Sequence, residues 1–403
     1  MRGSIRAALV ATTAFLISLN FHSSAFAQAP KFEFRDKDRV VLLGSTLIER
    51  EQRYGYVEAE LTAALAGEGK SVTFRNLGWS GDTVWAESRG IFDPPAAGYQ
   101  RMIEQVLELK PTVIISYYGA NEAFAGAAGL DRFLTQYRKL LDDLQPSGAR
   151  FVLVSPLDHL RFSERHPDPA IYNEKVTLYR DAIEKLAGER STFFVDLTGP
   201  LGVKAPLGSP DQPMAIPSTQ MTDTGVHLNA YGYKVIAQVI REALLGPEPV
   251  EKIAVNLKQI QDAGRLEKTG VVVQYPRVMF PAEFEAAQTL KLDGLTAGRY
   301  TLQISDDTSL TLSHEQWANG APAYLFDYEQ FEKMREAIID KNMLYFHRWR
   351  PQNVTYLFLF RKHEQGNNAK DIPEFDPLIE AKEKEIAKLS QPVSHEISIV
   401  SDN

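Results

Sequence analysis

Five short apolar or β-branched runs constrain this chain more than anything else in it. They are Val40–Leu43, Val72–Leu77, Thr112–Tyr118, Phe151–Val154 and Phe193–Val195. Between them lie stretches with apolar residues at helical spacing, such as Leu61 and Leu65, Met102 and Val106, Phe133, Tyr137 and Leu141, or Val176, Tyr179 and Ile183. A run that is apolar at consecutive positions suits a strand buried on both faces, and strands alternating with helices make a parallel sheet covered on both sides. The pattern predicts an α/β fold over residues 38–246, a three-layer α/β/α parallel sheet of flavodoxin-like type. It ends with a helix from Ala230 to Leu245, then changes character at Pro247-Glu248-Pro249.

The two ends read differently. Residues 1–27 carry Arg2 and Arg6, an apolar stretch from Ala7 to Leu19, and Ala25-Phe26-Ala27. That is the layout of a cleaved secretory signal, and its apolar core is short of the ~20 residues a spanning helix needs. We therefore expect an exported chain, periplasmic or secreted, with no integral membrane span after cleavage. There is no cysteine, hence no disulfide and no thiolate metal ligand. Removing the two arginines leaves 42 basic against 52 acidic residues, a net charge of −10 that argues against nucleic acid as a partner. Residues 247–403 read as an appended α+β region: a small antiparallel hairpin from Thr289–Leu292 and Tyr300–Ile304, a helix from Tyr328 to Ile339, an aromatic run from Leu344 to Phe360 and a charged helix near Pro377–Leu389.

Chemistry concentrates in the segments that follow the strands. Gly44-Ser45-Thr46 turns the first strand into a helix that looks regular from about Gln52. Gly78-Trp79-Ser80-Gly81-Asp82-Thr83 follows the second strand and Gly119-Ala120-Asn121-Glu122 the third. Asp223-Thr224-Gly225-Val226-His227 precedes the last helix. Ligands in open parallel sheets bind outside the carboxyl ends of the strands, where the first three segments lie. Singly, each has an ordinary explanation as a capping hydroxyl, a turn glycine, a loop amide or a helix-start histidine. In this order they resemble the four blocks of the SGNH (GDSL-like) hydrolases, a resemblance that covers about residues 38–246 and leaves 247–403 unaccounted for.

The resemblance implies hydrolysis of an ester without a cofactor or metal. The oxyanion donors would be the Gly81 N–H, the Asn121 amide and the nucleophile's own N–H; His227 would be the general base. The nucleophile position of the family, two residues after Gly44, is Thr46, and Ser45 stands where that family has Asp. Three outcomes remain open: Thr46 attacks despite its stiffer, more crowded hydroxyl, Ser45 attacks from a shifted loop, or no covalent step occurs. The family's Asp three residues before the histidine is replaced by Thr224, and Asp223, four before, is the nearest substitute. The expected substrate is a small-molecule or polysaccharide ester, with acetyl esters on carbohydrate as one case. The alternative is a catalytically impaired relative that binds carbohydrate or an envelope component.

Other residues are secondary. Glu49-Arg50-Glu51 and Arg53 read as first-turn charges before they read as pocket walls. Asp82 reads as a loop brace. Trp79 and Trp85 suit either the core or a sugar face. Asp158, His159 and His166 lack convincing metal-ligand spacing. His347, Trp349, Arg350, Arg361, His363 and Glu364 form a polar-aromatic cluster that reads as structural rather than as a lid.

Overall fold

Alternation along the first strand sets the layers. Val40 and Leu42 project to one side and Val41 and Leu43 to the other, as successive strand residues must. In the computed structural model, which describes residues 31–198, 221–246, 253–256, 269–272, 289–303, 309–322, 328–391 and 394–401, this strand is β1 (Arg39–Gly44). After it come α1 (Thr46–Tyr54), α2 (Tyr56–Gly67), β2 (Thr73–Gly78), α3 (Pro95–Glu108), β3 (Val113–Tyr117), α4 (Gly126–Leu144), β4 (Arg150–Val154), α5 (Ala170–Arg190), β5 (Phe193–Val195) and α6 (Ala230–Leu245). Residues 1–27, assigned above to a signal, and most of the Pro/Gly-rich stretch before Met221 lie outside the described residues.

The strands pair in parallel in the order β2-β1-β3-β4-β5. Val40 and Leu42 share a core with Leu61 and Leu65 of α2 and Ile236, Ile240 and Leu244 of α6. Val41 and Leu43 share the opposite core with Met102 and Val106 of α3, Phe133, Tyr137 and Leu140 of α4, and Ile183 and Leu186 of α5. This is the three-layer α/β/α sheet that the alternating pattern predicts.

The first helix differs from expectation. It begins at Thr46 rather than near Gln52, is capped at Ser45, and stops at Gly55, whose φ of 67° lets α2 restart at once in a new direction. Thr46 therefore occupies the first helical position, where backbone N–H groups lack intrahelical acceptors. The polar composition of α1, which hid its start, reflects a short helix whose residues face loops and other helices.

Beyond Gly246 the described elements are strands β6 (Ile253–Asn256), β7 (Thr269–Val272), β8 (Thr289–Asp293), β9 (Arg299–Gln303), β10 (Ser309–Ser313), β11 (Ala321–Pro322) and β12 (Ser394–Ser401). The helices there are α7 (His314–Asn319), α8 (Tyr328–Trp349), α9 (Val354–Leu357), α10 (Lys362–Gln365) and α11 (Phe375–Leu389). The expected hairpin of residues 289–292 with 300–304 does not form. β8 pairs with β6 and β11, whereas β9 pairs with β10 and β12. A period-2 pattern assigns faces, not partners, and both strands find partners elsewhere. α8 also runs ten residues past the predicted end at Ile339, into the aromatic run. α8 and α11 lie along β2, the edge strand of the main sheet. Lys341 Nζ donates to the Phe74 carbonyl at 3.1 Å, and Arg75 bonds Glu383 at 2.5 Å.

Gly78 is where the start of α1 meets the end of β2. A Cβ there would lie 2.1 Å from the Glu49 nitrogen and 2.5 Å from the Ile48 carbonyl carbon, both backbone atoms. Gly78→Ala is expected to destabilise the protein by about 3 kcal/mol, the upper end of overpacking costs. A urea midpoint equal to that of wild type would show that α1 and β2 separate freely.

Candidate active site

Three of the segments singled out in the sequence leave the sheet at one level. Gly44 of β1 is in register with Gly78 of β2 on one side and Tyr117 of β3 on the other. Ser45 N–H donates to the Tyr117 carbonyl at 3.3 Å and Trp79 N–H to the Gly44 carbonyl at 2.9 Å, which ties the three exits together. The two hydroxyls of the first segment then part company. Ser45 is 3% exposed, and its carbonyl accepts the N–H groups of Ile48 and Glu49. The Thr46 hydroxyl accepts the Gly81 N–H at 3.0 Å. Gly81 takes φ 75°, a left-handed conformation that glycine adopts without strain, and no atom lies within 4 Å of where its Cβ would be. Its N–H lies beside the Thr46 hydroxyl at the surface of the site.

Asn121 is fastened to the same loop. Its Nδ2 donates to the Asp82 carbonyl at 2.7 Å. A primary amide carries two N–H donors, so one anchors the side chain and one is left for a ligand. Buried carboxylates hold both loops. Asp82 pairs with Arg89 at 2.7 Å, both being 1% exposed or less, and accepts the Ser88 hydroxyl at 2.9 Å. Glu122, whose role the sequence did not reveal although it adjoins Asn121, accepts the Val84 and Gly119 N–H groups at 2.8 Å each. It joins the second segment to the third. Burial pushes the Glu122 carboxyl up to about 7, against the two N–H bonds that favour its charged form.

The fourth segment is a tight turn built by threonines. Thr222 Oγ1 donates to the His227 carbonyl at 2.7 Å and accepts the Gly225 N–H at 2.8 Å, while Thr224 Oγ1 accepts the His227 N–H at 3.0 Å. The Gly225 carbonyl accepts the Leu160 N–H at 2.7 Å, which brings the loop of Asp158 and His159 alongside. Tyr233 Oη donates to the Leu47 carbonyl at 2.8 Å, and Arg50 Nη2 approaches the Leu228 carbonyl at 3.4 Å, so α1 carries the turn at its side. Asp223 does not reach the imidazole. Its side chain is exposed, and among the described residues His227 has no hydrogen-bonded carboxylate partner. No hydrogen bond joins His227 to Thr46 either.

The charged neighbour of His227 is instead a cation. Partial burial, and then Arg50, hold the imidazole below its ordinary value. Arg50 stands four residues after Thr46, on the same face of α1. His159 lies close enough to His227 to feel it. Burial and that neighbour lower His159 to about 4, and its ring stacks on Tyr172 at 3.7 Å. Tyr172 in turn packs against Phe124, which is 61% exposed three residues past Asn121. Burial raises Asp158 to about 6, helped by Asp196. His166 is exposed and bonds Ser163, away from this group. Among the described residues no three His, Asp or Glu side chains converge as metal ligands.

Trp79 is buried beside Trp349 of α8, and Trp85 lies under Arg132. Arg50, Glu122 and Arg350 are the members of the site region that sequence reasoning undervalued. The Asn-Glu pair after a strand was the one available signal for Glu122, and the polar-aromatic cluster around Arg350 gave no sign that it meets Glu49 and Trp79.

Residues 44–235 match the family model described as the GDSL-like Lipase/Acylhydrolase family. Among solved structures, a gut microbial diltiazem-metabolizing enzyme superposes with a TM-score of 0.65 at 14% identity, covering 93% of this chain and 99% of that one. A GDSL-like lipase candidate from Parabacteroides merdae superposes with a TM-score of 0.41 at 19% identity over 53% of this chain and 99% of that one. A catalytic mutant of an acetylxylan esterase from Geobacillus stearothermophilus gives 0.40 at 17% over 52% and 95%. No curated protein matches the sequence.

Glu122 makes a pH signature. Its folded value of about 7 stands above the ordinary 4.5, so its contribution favours folding fully below pH 4.5 and is lost as pH rises through 7. Relative to Glu122→Gln, the wild type should lose up to about 3 kcal/mol between those limits. Parallel stability–pH curves for the two proteins would refute the buried-acid account.

Proposed function

We propose, for a chain whose residues 44–235 are a domain of the GDSL-like lipase/acylhydrolase family, that this protein hydrolyses carboxylic esters and that Thr46 is the nucleophile. The Gly81 N–H held against the Thr46 hydroxyl carries the reading. Attack of Thr46 Oγ1 on the ester carbonyl forms the acyl–threonine bond and moves the carbonyl electrons onto oxygen. The Gly81 N–H is then released from the hydroxyl to that oxyanion, joined by the free N–H of Asn121 and by the Thr46 N–H at the first position of α1. His227 takes the threonine proton and returns it to the departing alcohol. Water, deprotonated by the same imidazole, cleaves the acyl–threonine, and the proton returns to Thr46.

Among the described residues no carboxylate is hydrogen-bonded to His227, so the base works without that support. Thr224 braces the backbone of the turn but supplies no charge to stabilise an imidazolium. Slow turnover on an accessible site is the consequence. The substrate we favour is a short acyl ester on a carbohydrate. The exposed face of Phe124 beside Tyr172 offers a surface for a sugar ring, and the secretory features of residues 1–27 would place the protein where polysaccharides are met. Among the described residues no helix is long and apolar enough to cross a membrane. A second reading, binding without cleavage, draws on the absence, among the described residues, of a carboxylate partner for His227.

Hydrolysis of 4-nitrophenyl acetate by residues 28–403 should fall at least about 100-fold in Thr46→Ala and in Asn121→Ala. It should vanish into background in His227→Ala and persist in Ser45→Ala. Loss with Ser45→Ala and not with Thr46→Ala would transfer the role to Ser45. Failure of the wild type across acetyl to octanoyl esters, with acetylated xylan retained unchanged on the protein, would favour the binding reading.

The acid limb of kcat/KM reports the free base. Because burial and Arg50 both lower His227, its midpoint should fall below 6.5 and move upward in Arg50→Gln. A midpoint above 7, or one unmoved by that substitution, would exclude His227 as the base in this environment.

A further inference from the structure

The backbone N–H next to the oxyanion glycine is held by a chain of contacts that begins in the C-terminal helices. Ser80 N–H donates to Glu49 Oε2. The other oxygen of that carboxylate faces Arg350 Nη1 at 3.4 Å. The Arg350 guanidinium sits over Trp79, with Cζ 3.4 Å from the ring centroid. Trp79 and Ser80 are the two residues before Gly81, so one guanidinium touches, directly or through Glu49, both residues that lead into the donor. Neither partner of the ion pair is freely solvated, the side chains being 15% and 26% exposed.

Resting on the esterase reading above, we propose that Arg350 is a positioning residue for the reaction, fixing the Trp79-Ser80-Gly81 loop so that the Gly81 N–H points at the reacting oxygen. The physical need is specific to this site. Gly81 sits in open space with no side chain to wedge it, and a glycine has more backbone freedom than any other residue. Its direction must be imposed through its neighbours. The Asp82 side is held by Arg89 and Asn121. The Trp79 side is held by the Gly44 carbonyl and by Arg350 with Glu49. An arginine suits the task because a planar guanidinium can stack on an indole and still donate at its edge, which lysine cannot do.

The test uses residues 28–403 with Arg350→Ala, Arg350→Lys, Glu49→Gln and the double variant Arg350→Ala/Glu49→Gln. Misaiming an oxyanion donor weakens the transition state rather than ground-state binding, so kcat on 4-nitrophenyl acetate should fall about 10- to 100-fold with KM nearly constant. Arg350→Lys should recover only part of it. The double variant should lose less than the two single losses combined, because Glu49 and Arg350 hold the same Trp79-Ser80 segment. Amide exchange should accelerate at residues 79–83 in Arg350→Ala while the core strands keep wild-type protection. Additive losses in the double variant, a rise in KM alone, or unchanged exchange at residues 79–83 would overturn the proposal. If the wild type hydrolyses no ester, the esterase reading falls, and the exchange comparison still decides whether Arg350 holds the loop.

Discussion

The register of β1 between β2 and β3 is the constraint on which the rest depends. Because Gly44 is paired with both Gly78 and Tyr117, the three chain exits lie side by side, a strand spacing of about 4.8 Å apart. Thr46, Gly81 and Asn121 need only two, three and four further residues, respectively, to converge. The glycines at two of the exits are demanded by space. A Cβ on Gly44 would meet the Tyr117 carbonyl oxygen at 2.5 Å, and one on Gly78 would meet the backbone of α1. Slipping β1 by one residue would exchange Val40 and Leu42 with Val41 and Leu43 between two differently shaped cores. The hydrophobic layers therefore fix the level of the site.

Electrostatics divides that site into two halves. The half proposed to hold the oxyanion is overdetermined: Asp82, Arg89 and Glu122 are buried groups with defined partners that lock the loops bearing Gly81 and Asn121. The half proposed for proton transfer is sparse. His227 has threonine hydroxyls on its backbone, a cation near its ring and no carboxylate bonded to it among the described residues. Thr224 accepts the His227 backbone N–H and so braces the turn, but it does not bond the imidazole. It cannot replace the charge of an acid in that position. On the proposed mechanism, such a site keeps its preorganised donors and gives up strength in its base.

Much of this was legible in the sequence for a plain reason. Strand runs, glycine exits and the helix over residues 230–245 are local signals. The boundary misjudged in the main sheet, the start of α1 at Thr46, was hidden because Glu49, Arg50, Glu51, Gln52 and Arg53 read as solvated polar residues. In the fold, Glu51 and Gln52 are buried between α1, α2 and α8, which no local pattern reveals. The pairing of β8 and β9 was misread for the related reason that alternation names faces and not partners. Asp223 looked like an orienting acid because it is near in sequence, yet the turn made by Gly225 points it to solvent. Arg350 follows Glu49 by some three hundred residues, and such an encounter exists only after folding.

The C-terminal helices are best understood from the edge they cover. β2 ends the sheet and would present unpaired backbone to solvent, a hazard that proteins commonly screen. α8 and α11 lie against it, and the screening is chemical as well as steric. Lys341 is buried and spends its ammonium protons on the Phe74 carbonyl and on Glu58 of α2, with Asn342 completing the bonds of that carboxylate. Breaking such a buried pair from one side typically costs 3–5 kcal/mol, far more than a surface pair contributes. α8 is consequently held at a fixed height along β2, and Arg335 fastens it again to the Tyr54 carbonyl at the end of α1. A helix pinned at Lys341 and Arg335 delivers its own end to a defined place. That place is beside Trp79, two residues before Gly81, which makes the cover of the edge strand part of the structure that surrounds the candidate site.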